Sequence, residues 1–554
     1  MASLSFITKI VTTTLVLLLI GLLNIEVTLV SADNQEWYYD WNVTFQYTAP
    51  LGVSKQIIVI NDEFPGPLLN ASTNDVVNIN IHNNLDEPFL MTWNGIQMKR
   101  NSWQDGVQET NCPISPGHTW TYSFQLKDQI GSYFYFPSLQ FHKAAGGYGP
   151  IRIQNDELVP VPFPQADFDY DILIGDWYNA NYRTLRNALD NGMELPLPDG
   201  VLINGLGPNQ ASMDFEPGAT YRLRISNVGL RTTLNFRIQE HLLLLVETEG
   251  TYTMKQYYDS LDVHVGQSYS VLVTANNTGD VSFYMLATSR FTPMPLVGSV
   301  FIRYSGFQGM PILPPNSGLD LYDYRYSLDQ ALSIRMDLSV GAARPNPQGS
   351  FHYGTIRINR LMTLRNDVAF INGRLRHTVN SVSFVHPDTP LLLADYYKLP
   401  DEFQTESIHD TPDEIFPRMG VSVINATYHD FVHVVLQNPL IDIQSWHSDG
   451  NNFFVVGMGT LPWTVRNMGS YNMYDAIYRS TVQVYPTSWT AIMIKLDNEG
   501  MWNFRSQNAE RWYLGQELYI RVRGEGKDDL KNISPYDQAP IPANVLKCGR
   551  AASL

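Results

Sequence analysis

The sequence predicts an all-β protein made of three tandem sandwich or barrel domains. Three observations carry this: apolar residues alternate with period two, one supersecondary pattern recurs three times, and long helical periodicity is scarce. The alternation is plain at Val77, Ile79 and Ile81, interleaved with Asn78, Asn80 and His82. It recurs at Tyr221, Leu223 and Ile225, interleaved with Arg222, Arg224 and Ser226. Such strands are expected to bury one face and wet the other.

The recurring pattern is a turn, an alternating strand, a polar or Gly-containing turn and an aromatic-rich strand. Its copies are PGHTWTYSFQLKDQIGSYFYFPS from Pro116, VGQSYSVLVTANNTGDVSFYMLATS from Val265 and YPTSWTAIMIKLDNEGMWNFRSQ from Tyr485. A closing strand follows each copy: GPIRIQ, GSVFIRYSG and GQELYIRVRG. A strand ending at Asn precedes each: INIHNN, RLRISN and HVVLQN. A spacing of well over 100 residues means separate domains, not a solenoid. The first domain is expected over 33–157, the second over 158–310 and the third over 345–554. The Pro-rich MPILPPNSG opens a linker over 311–344, in which LDQALSIRM (328–336) predicts a short helix.

Bulk composition agrees. A chain of 554 residues suggests about three or four domains. Hydrophobic residues make up 44% and charged residues 16%, which excludes a disordered chain. A formal net charge of -17 disfavours nucleic acid as a partner. Residues 1–32 read as a secretory signal: Lys9, the apolar Leu15–Leu23, and Val30-Ser31-Ala32 for cleavage before Asp33. The competing reading, an uncleaved anchor, is opposed by Glu26. No second long apolar run follows, so the mature chain is expected to carry no membrane anchor. Cys112 and Cys548 admit one intramolecular pairing, which would tie the first domain to the last residues; two free thiols are the uncommon alternative in a secreted protein. Five sequons, at Asn42, Asn70, Asn276, Asn425 and Asn532, suggest N-glycosylation, with Asn532 weakest because Pro535 follows.

Several motifs resemble those of the ascorbate oxidases and laccases, multicopper oxidases of three cupredoxin-like domains. They are NDEFPGPLL, TWNGIQM, DGVQETNCPI, VLINGLG and LQNPLIDIQSWHSDGNNFFVVGMG. The resemblance covers nearly the whole mature chain and implies Greek-key β-barrel or sandwich domains. Cys112 and Cys548 match the family's bridge between its first and third domains. GMWNFRSQ and YLGQELYIRV resemble the pollen-expressed ascorbate oxidase homologues, in the plant subfamily of the skewed-root-growth wall proteins.

The family also implies a Cys/His mononuclear copper and a three-copper cluster held by eight His, presented as four His-x-His-type segments. Here the first segment is Thr92-Trp93-Asn94 and the second is Phe136-Pro137-Ser138. The third runs Gln444 to Asp449 and keeps only His447. The fourth has Arg505, Ser506 and Gln507, with Arg511 and Gln516 at the downstream positions. No two of the 12 His stand at i, i+2, and guanidinium at two former sites opposes a cation. Copper is implied by the family but not by these residues, so no cofactor and no catalytic residue is expected.

His447 beside Asp449 reads as a hydrogen-bonded buried His, in preference to an incidental two-ligand metal site. His429 and His433 are expected on one strand face about 13 Å apart, too far to share a metal. Trp93, Trp103, Trp120 and Trp446 suit core packing better than a sugar-stacking surface. AAGGYG near Ala144 reads as a tight turn, not a phosphate loop. Three functions follow. The first is a non-catalytic extracellular, apoplastic or cell-wall glycoprotein that binds wall polysaccharide or wall protein and supports pollen tube growth. The second is an oxidase of ascorbate or phenols with residual activity. The third, a storage or structural glycoprotein, has no specific motif behind it.

Overall fold

Val77, Ile79 and Ile81 are fully buried, while Asn78, Asn80 and His82 between them stay partly exposed. This alternation on the strand Val76–Asn83 is repeated through a computed structural model that describes residues 35–277, 282–304, 306–311, 320–412, 416–525 and 537–554. The secretory signal and Asn532 lie outside the described residues.

Each third of the chain contributes two sheets. Residues 36–154 form two four-stranded sheets, residues 168–304 a six- and a five-stranded sheet, and residues 360–523 an eight- and a five-stranded sheet. The threefold repeat is visible in the pairing. Glu36–Val43 runs parallel to Val76–Asn83, Phe168–Ile174 to Tyr221–Asn227, and Arg360–Arg365 to Val432–Gln437. In each case the second strand then pairs antiparallel with the alternating strand of the repeat. Apolar residues from both sheets of the second sandwich form one core, and those of the first and third join in a single cluster, which is sandwich packing.

The Asn that ends the strand before each repeat has one structural task. Asn83, Asn227 and Asn438 are all 0% exposed. Each Nδ2 donates to backbone carbonyls further along the chain: Asn83 to Glu87 and Ile114, Asn227 to Thr232 and Val263, Asn438 to Asp442, Val484 and Tyr485. Each Oδ1 accepts the backbone N–H two residues on, at 3.0 Å from Leu85, 3.0 Å from Gly229 and 3.1 Å from Leu440. An amide side chain supplies both donor and acceptor, so it can satisfy a buried loop on two sides.

Three expectations need correction. The polar face of Tyr221–Asn227 is not wet: Arg224 is 1% exposed, paired with Asp169 at 2.8 Å, and donates to Ser132 Oγ at 2.9 Å. Contact with the first sandwich covers that face. The linker helix α2 runs Tyr324–Ser333, starting four residues earlier than 328, because Asp323 caps it by accepting from Tyr326 N. Past Ser333 the chain is extended, and Arg335 and Met336 bridge to Ala476 and Thr253. A helix before it, α1 (Tyr182–Asp190), is unexpected. It buries Tyr182, Leu185 and Leu189, and its Arg183 and Arg186 reach Glu87 of the first sandwich. Its spacing of apolar residues was the signal, but a helix of nine residues gives it little length to show.

The disulfide Cys112–Cys548 is formed, and Trp103, Phe384 and Leu391–Leu393 pack around it. Gly146 and Gly147 make the tight turn in AAGGYG, with φ of 95° and 67°. A Cβ on Gly147 would stand 2.7 Å from Pro137 and 2.8 Å from Ile58, so the turn needs glycine for space as well as for φ. Among the described residues, no helix is long and apolar enough to cross a membrane.

Candidate functional site

The four segments that would carry metal ligands are strands or strand ends, and the sheets bring them together in pairs. Met91–Asn94 pairs with Gly131–Pro137, setting Thr92 opposite Phe136. Gln444–Ser448 pairs with Gly500–Ser506, setting His447 opposite Arg505. The two pairs then meet between the first and third sandwiches. Gln507 Nε2 donates to Asn94 Oδ1 at 2.5 Å, and Asn94 Nδ2 donates to Gly266 O at 3.1 Å.

At the centre Arg505, 0% exposed, forms an ion pair with Asp449 and donates to Asn503 Oδ1 at 3.0 Å. Its Nε and Nη2 find no acceptor among the described residues; the Trp512 ring centroid lies 4.6 Å from the guanidinium carbon instead. His447 is engaged at both nitrogens, Nδ1 with Thr481 Oγ1 at 2.7 Å and Nε2 with Asp449 Oδ1 at 3.0 Å. Burial pushes the His447 pKa down despite Asp449, so the ring is neutral. Burial lifts Asp105 well above the carboxylate range, and the Asp449 carboxylate adds to this. Burial would lift Asp449 as well, but Arg505 and His447 outweigh it and hold the carboxyl low. The cluster therefore pairs one guanidinium with one carboxylate, while burial favours the neutral form of Asp105 and of His447.

The remaining positions are closed in the same way. Thr92 Oγ1 donates to Asp105 O at 2.9 Å, and Ser138 Oγ to Gly106 O at 2.6 Å. Phe136 is 1% exposed, with Trp512 at its edge. At the other set, Gln516 Nε2 donates to Gln444 Oε1 at 2.9 Å, and Ser506 N donates to Gln516 O at 3.0 Å. Arg511 donates to Ile443 O at 3.0 Å and to Asp442 Oδ2 at 3.1 Å. Among the described residues, no group of three or more His, Cys, Asp and Glu side chains is placed to hold a metal ion.

Three sandwiches of cupredoxin type, with four strand segments converging between the first and third, define a protein on the blue-oxidase scaffold. Family models described as multicopper oxidase match residues 42–158, 168–306 and 388–528. The chain belongs to the multicopper oxidase family. It is 48% identical to monocopper oxidase-like protein SKS1 of Arabidopsis thaliana over 93% of this chain and 89% of the relative. It is 46% identical to an L-ascorbate oxidase homolog of Brassica napus, over 94% of both chains. The crystal structure of Fet3p, a multicopper oxidase, superposes with a TM-score of 0.74 at 21% identity, covering 88% of this chain and 90% of that one. Copper, which the family implies, does not fit the donors present. The mononuclear set offers amides, a hydroxyl and a guanidinium, and the other set offers one imidazole whose two nitrogens are already engaged.

Other expected residues fall as follows. His433 is a fully buried strand residue against Tyr471 OH at 3.2 Å, but His429 is not on that strand. It occupies a turn with φ of 72°, closed by Asp430 N donating to Thr427 O, before the strand begins at Phe431. Trp93, Trp103, Trp120 and Trp446 are at most 4% exposed, so none offers a sugar-stacking surface. Asn42, Asn70 and Asn276 are exposed, while Asn425 is half-buried with its Oδ1 accepting from Arg521. Sequence reasoning passed over Asp105 and Glu109, although both stand in DGVQETNCPI. Glu109 Oε1 meets His386 Nδ1 at 2.8 Å, and His386 Nε2 lies 3.8 Å from Glu517.

His377 sits near Arg511 and gives a pH prediction. Burial, helped by Arg511, Arg376 and Arg231, lowers its pKa to about 3. The unfolded chain therefore takes the proton first, and stability is lost as pH falls below 6.5, at about 1.4 kcal/mol per pH unit, until the folded pKa is reached. His377→Gln is expected to flatten that part of the curve between about pH 6 and pH 4. Urea midpoints of the two proteins measured across this range check it; parallel curves would show that His377 is not buried neutral.

Proposed function

We propose that the protein is a secreted wall glycoprotein that keeps the multicopper oxidase scaffold for binding rather than for electron transfer. The observation that supports this most is the charge-balanced Arg505–Asp449–His447–Asp105 cluster where a copper cluster would stand. Each former ligand position keeps at least one hydrogen bond or aromatic contact, and Arg505, whose Nε and Nη2 find no acceptor among the described residues, is held by Asp449 and the Trp512 ring. The signal-like residues 1–32, the disulfide and the exposed sequons support an extracellular location, with wall polysaccharide or a wall protein as partner. The likeness to ascorbate oxidase homologues supports a part in pollen tube growth.

Metal analysis of the glycoprotein purified from its native tissue tests this reading. Copper far below one atom per chain is expected, with no blue absorption band and no oxygen uptake on ascorbate or a diphenol. Stoichiometric copper with chelator-sensitive oxygen uptake would overturn it in favour of an oxidase of ascorbate or phenolic substrates.

A further inference from the structure

Between the first and third sandwiches lies a cavity of about 520 Å³, a volume suited to a small organic ligand. It is lined by residues of the turn after Phe136 and by residues from both the early and the late strands of the third sandwich, among them Lys143, Arg376, Trp512 and Tyr519. Lys143 is only 6% exposed, and its Nζ has no hydrogen-bond partner among the described residues. Its nearest compensation is aromatic: the Phe136 ring centroid is 4.4 Å from Nζ and that of Phe134 5.9 Å. A buried amine without an acceptor is costly and calls for an explanation.

Neither acid of the wall hydrogen-bonds to it, although Glu517 Oε1 has no hydrogen-bond partner of its own among the described residues and lies 3.8 Å from His386 Nε2. Glu517 Oε2 accepts from Trp512 Nε1 at 2.8 Å and from Asn503 Nδ2 at 2.6 Å, and Asp190 accepts from Tyr513 OH at 2.8 Å. Arg376 adds a second positive charge to the lining, and its Nε and Nη2 are turned toward Ser383 Oγ and Phe384 O. Burial lowers the Lys143 pKa to about 7, with Asp176 opposing and Arg505 adding to the fall, so the wall holds a buried amine on a flexible four-carbon stem together with flat aromatic side chains. An anion that brings its own apolar body would hold the proton on this amine.

We propose that this cavity binds a small carboxylate with a flat apolar body, its head paired with the Lys143 ammonium and its body against the aromatic wall. The site adjoins the former copper positions, since Pro137 and Ser138 line it, but it asks for a small anion rather than a metal.

Calorimetric titration of the full glycoprotein with 4-hydroxybenzoate and with its neutral counterpart 4-hydroxybenzamide tests the proposal. The acid is expected to bind at least about tenfold more tightly than the amide, a difference of about 1.4 kcal/mol. Lys143→Met is expected to abolish that preference and Lys143→Arg to retain it. Equal affinities, or no saturable binding of the acid at millimolar concentration, would overturn the proposal, as would a Lys143→Met protein that keeps the preference. The comparison of acid with amide on the unaltered protein decides the question even if the variants fold poorly.

Discussion

Arg505→Met is expected to destabilise the protein by about 3–5 kcal/mol, the range for breaking a buried ion pair from one side. Arg505 and Asp449 are 0% and 3% exposed, and the side chain of Arg505 is the one fixed cation paired to this carboxylate. Without it, Asp449 must either stay charged in a dry site beside Asp105 or take up a proton. The sign follows from the present balance. Asp449 is held below its ordinary pKa, so in the native protein it contributes stability above the unfolded pKa and loses it as pH falls through the folded value. In the variant the carboxyl is pushed the other way, so the penalty is full at neutral pH and shrinks in acid. Denaturant midpoints at pH 7 and pH 4 measure both. Arg505→Met combined with Asp449→Leu is expected to recover most of the loss, since removing both charges together leaves neither unpaired. A single variant as stable as the native protein would mean that the pair is not formed.

Removing the disulfide is expected to have the second large effect. The bridge joins residues 436 positions apart, and the chain-entropy model gives about 6 kcal/mol for such a loop, while loss of native bridges costs about 2–5 kcal/mol in practice. Cys112→Ala with Cys548→Ala is therefore expected to lower the denaturation midpoint and to expose the C-terminal segment to protease. Besides the bridge, that segment is held by hydrogen bonds and packing: Trp120 Nε1 donates to Asn544 O at 3.0 Å, Arg550 N to Thr389 Oγ1 at 2.9 Å and Arg550 Nη1 to Pro400 O at 2.6 Å, and Ile541, Val545 and Leu546 pack against the cluster around the disulfide. An unchanged midpoint and an uncut C-terminus would remove the bridge from the list of what holds the first and third sandwiches together.

The strands and the repeat were legible because each depends on local pattern. Period-two alternation reports which face of a strand meets the core, and Asn83, Asn227 and Asn438, in INIHNN, RLRISN and HVVLQN, mark the same loop three times. The former ligand positions were legible for the same reason: segments such as Thr92-Trp93-Asn94 keep their place in a strand after their side chains change. Less readable was anything set by a neighbour distant in the chain. Arg224 looks like a wet strand residue until Ser132 is packed over it. His429 fits a strand pattern by spacing, yet a turn takes it. Helix α1 is too short to show a period clearly, and it forms against the first sandwich.

By itself the sequence determined the three β units, the two residues able to form a bridge, and the absence of copper-type donors at named positions. These follow from residue type and spacing, which do not depend on what folds against them. Only the tertiary structure decided what replaced the donors. Arg505 could have been a lone charge and Asp105 an ordinary surface acid, but folding sets both beside Asp449, where burial keeps one neutral and the ion pair balances the other two. The same folding leaves Lys143 without an acceptor at the edge of a cavity. Electrostatic free energy in a dry interior depends on distance and desolvation, and both are properties of the assembled fold.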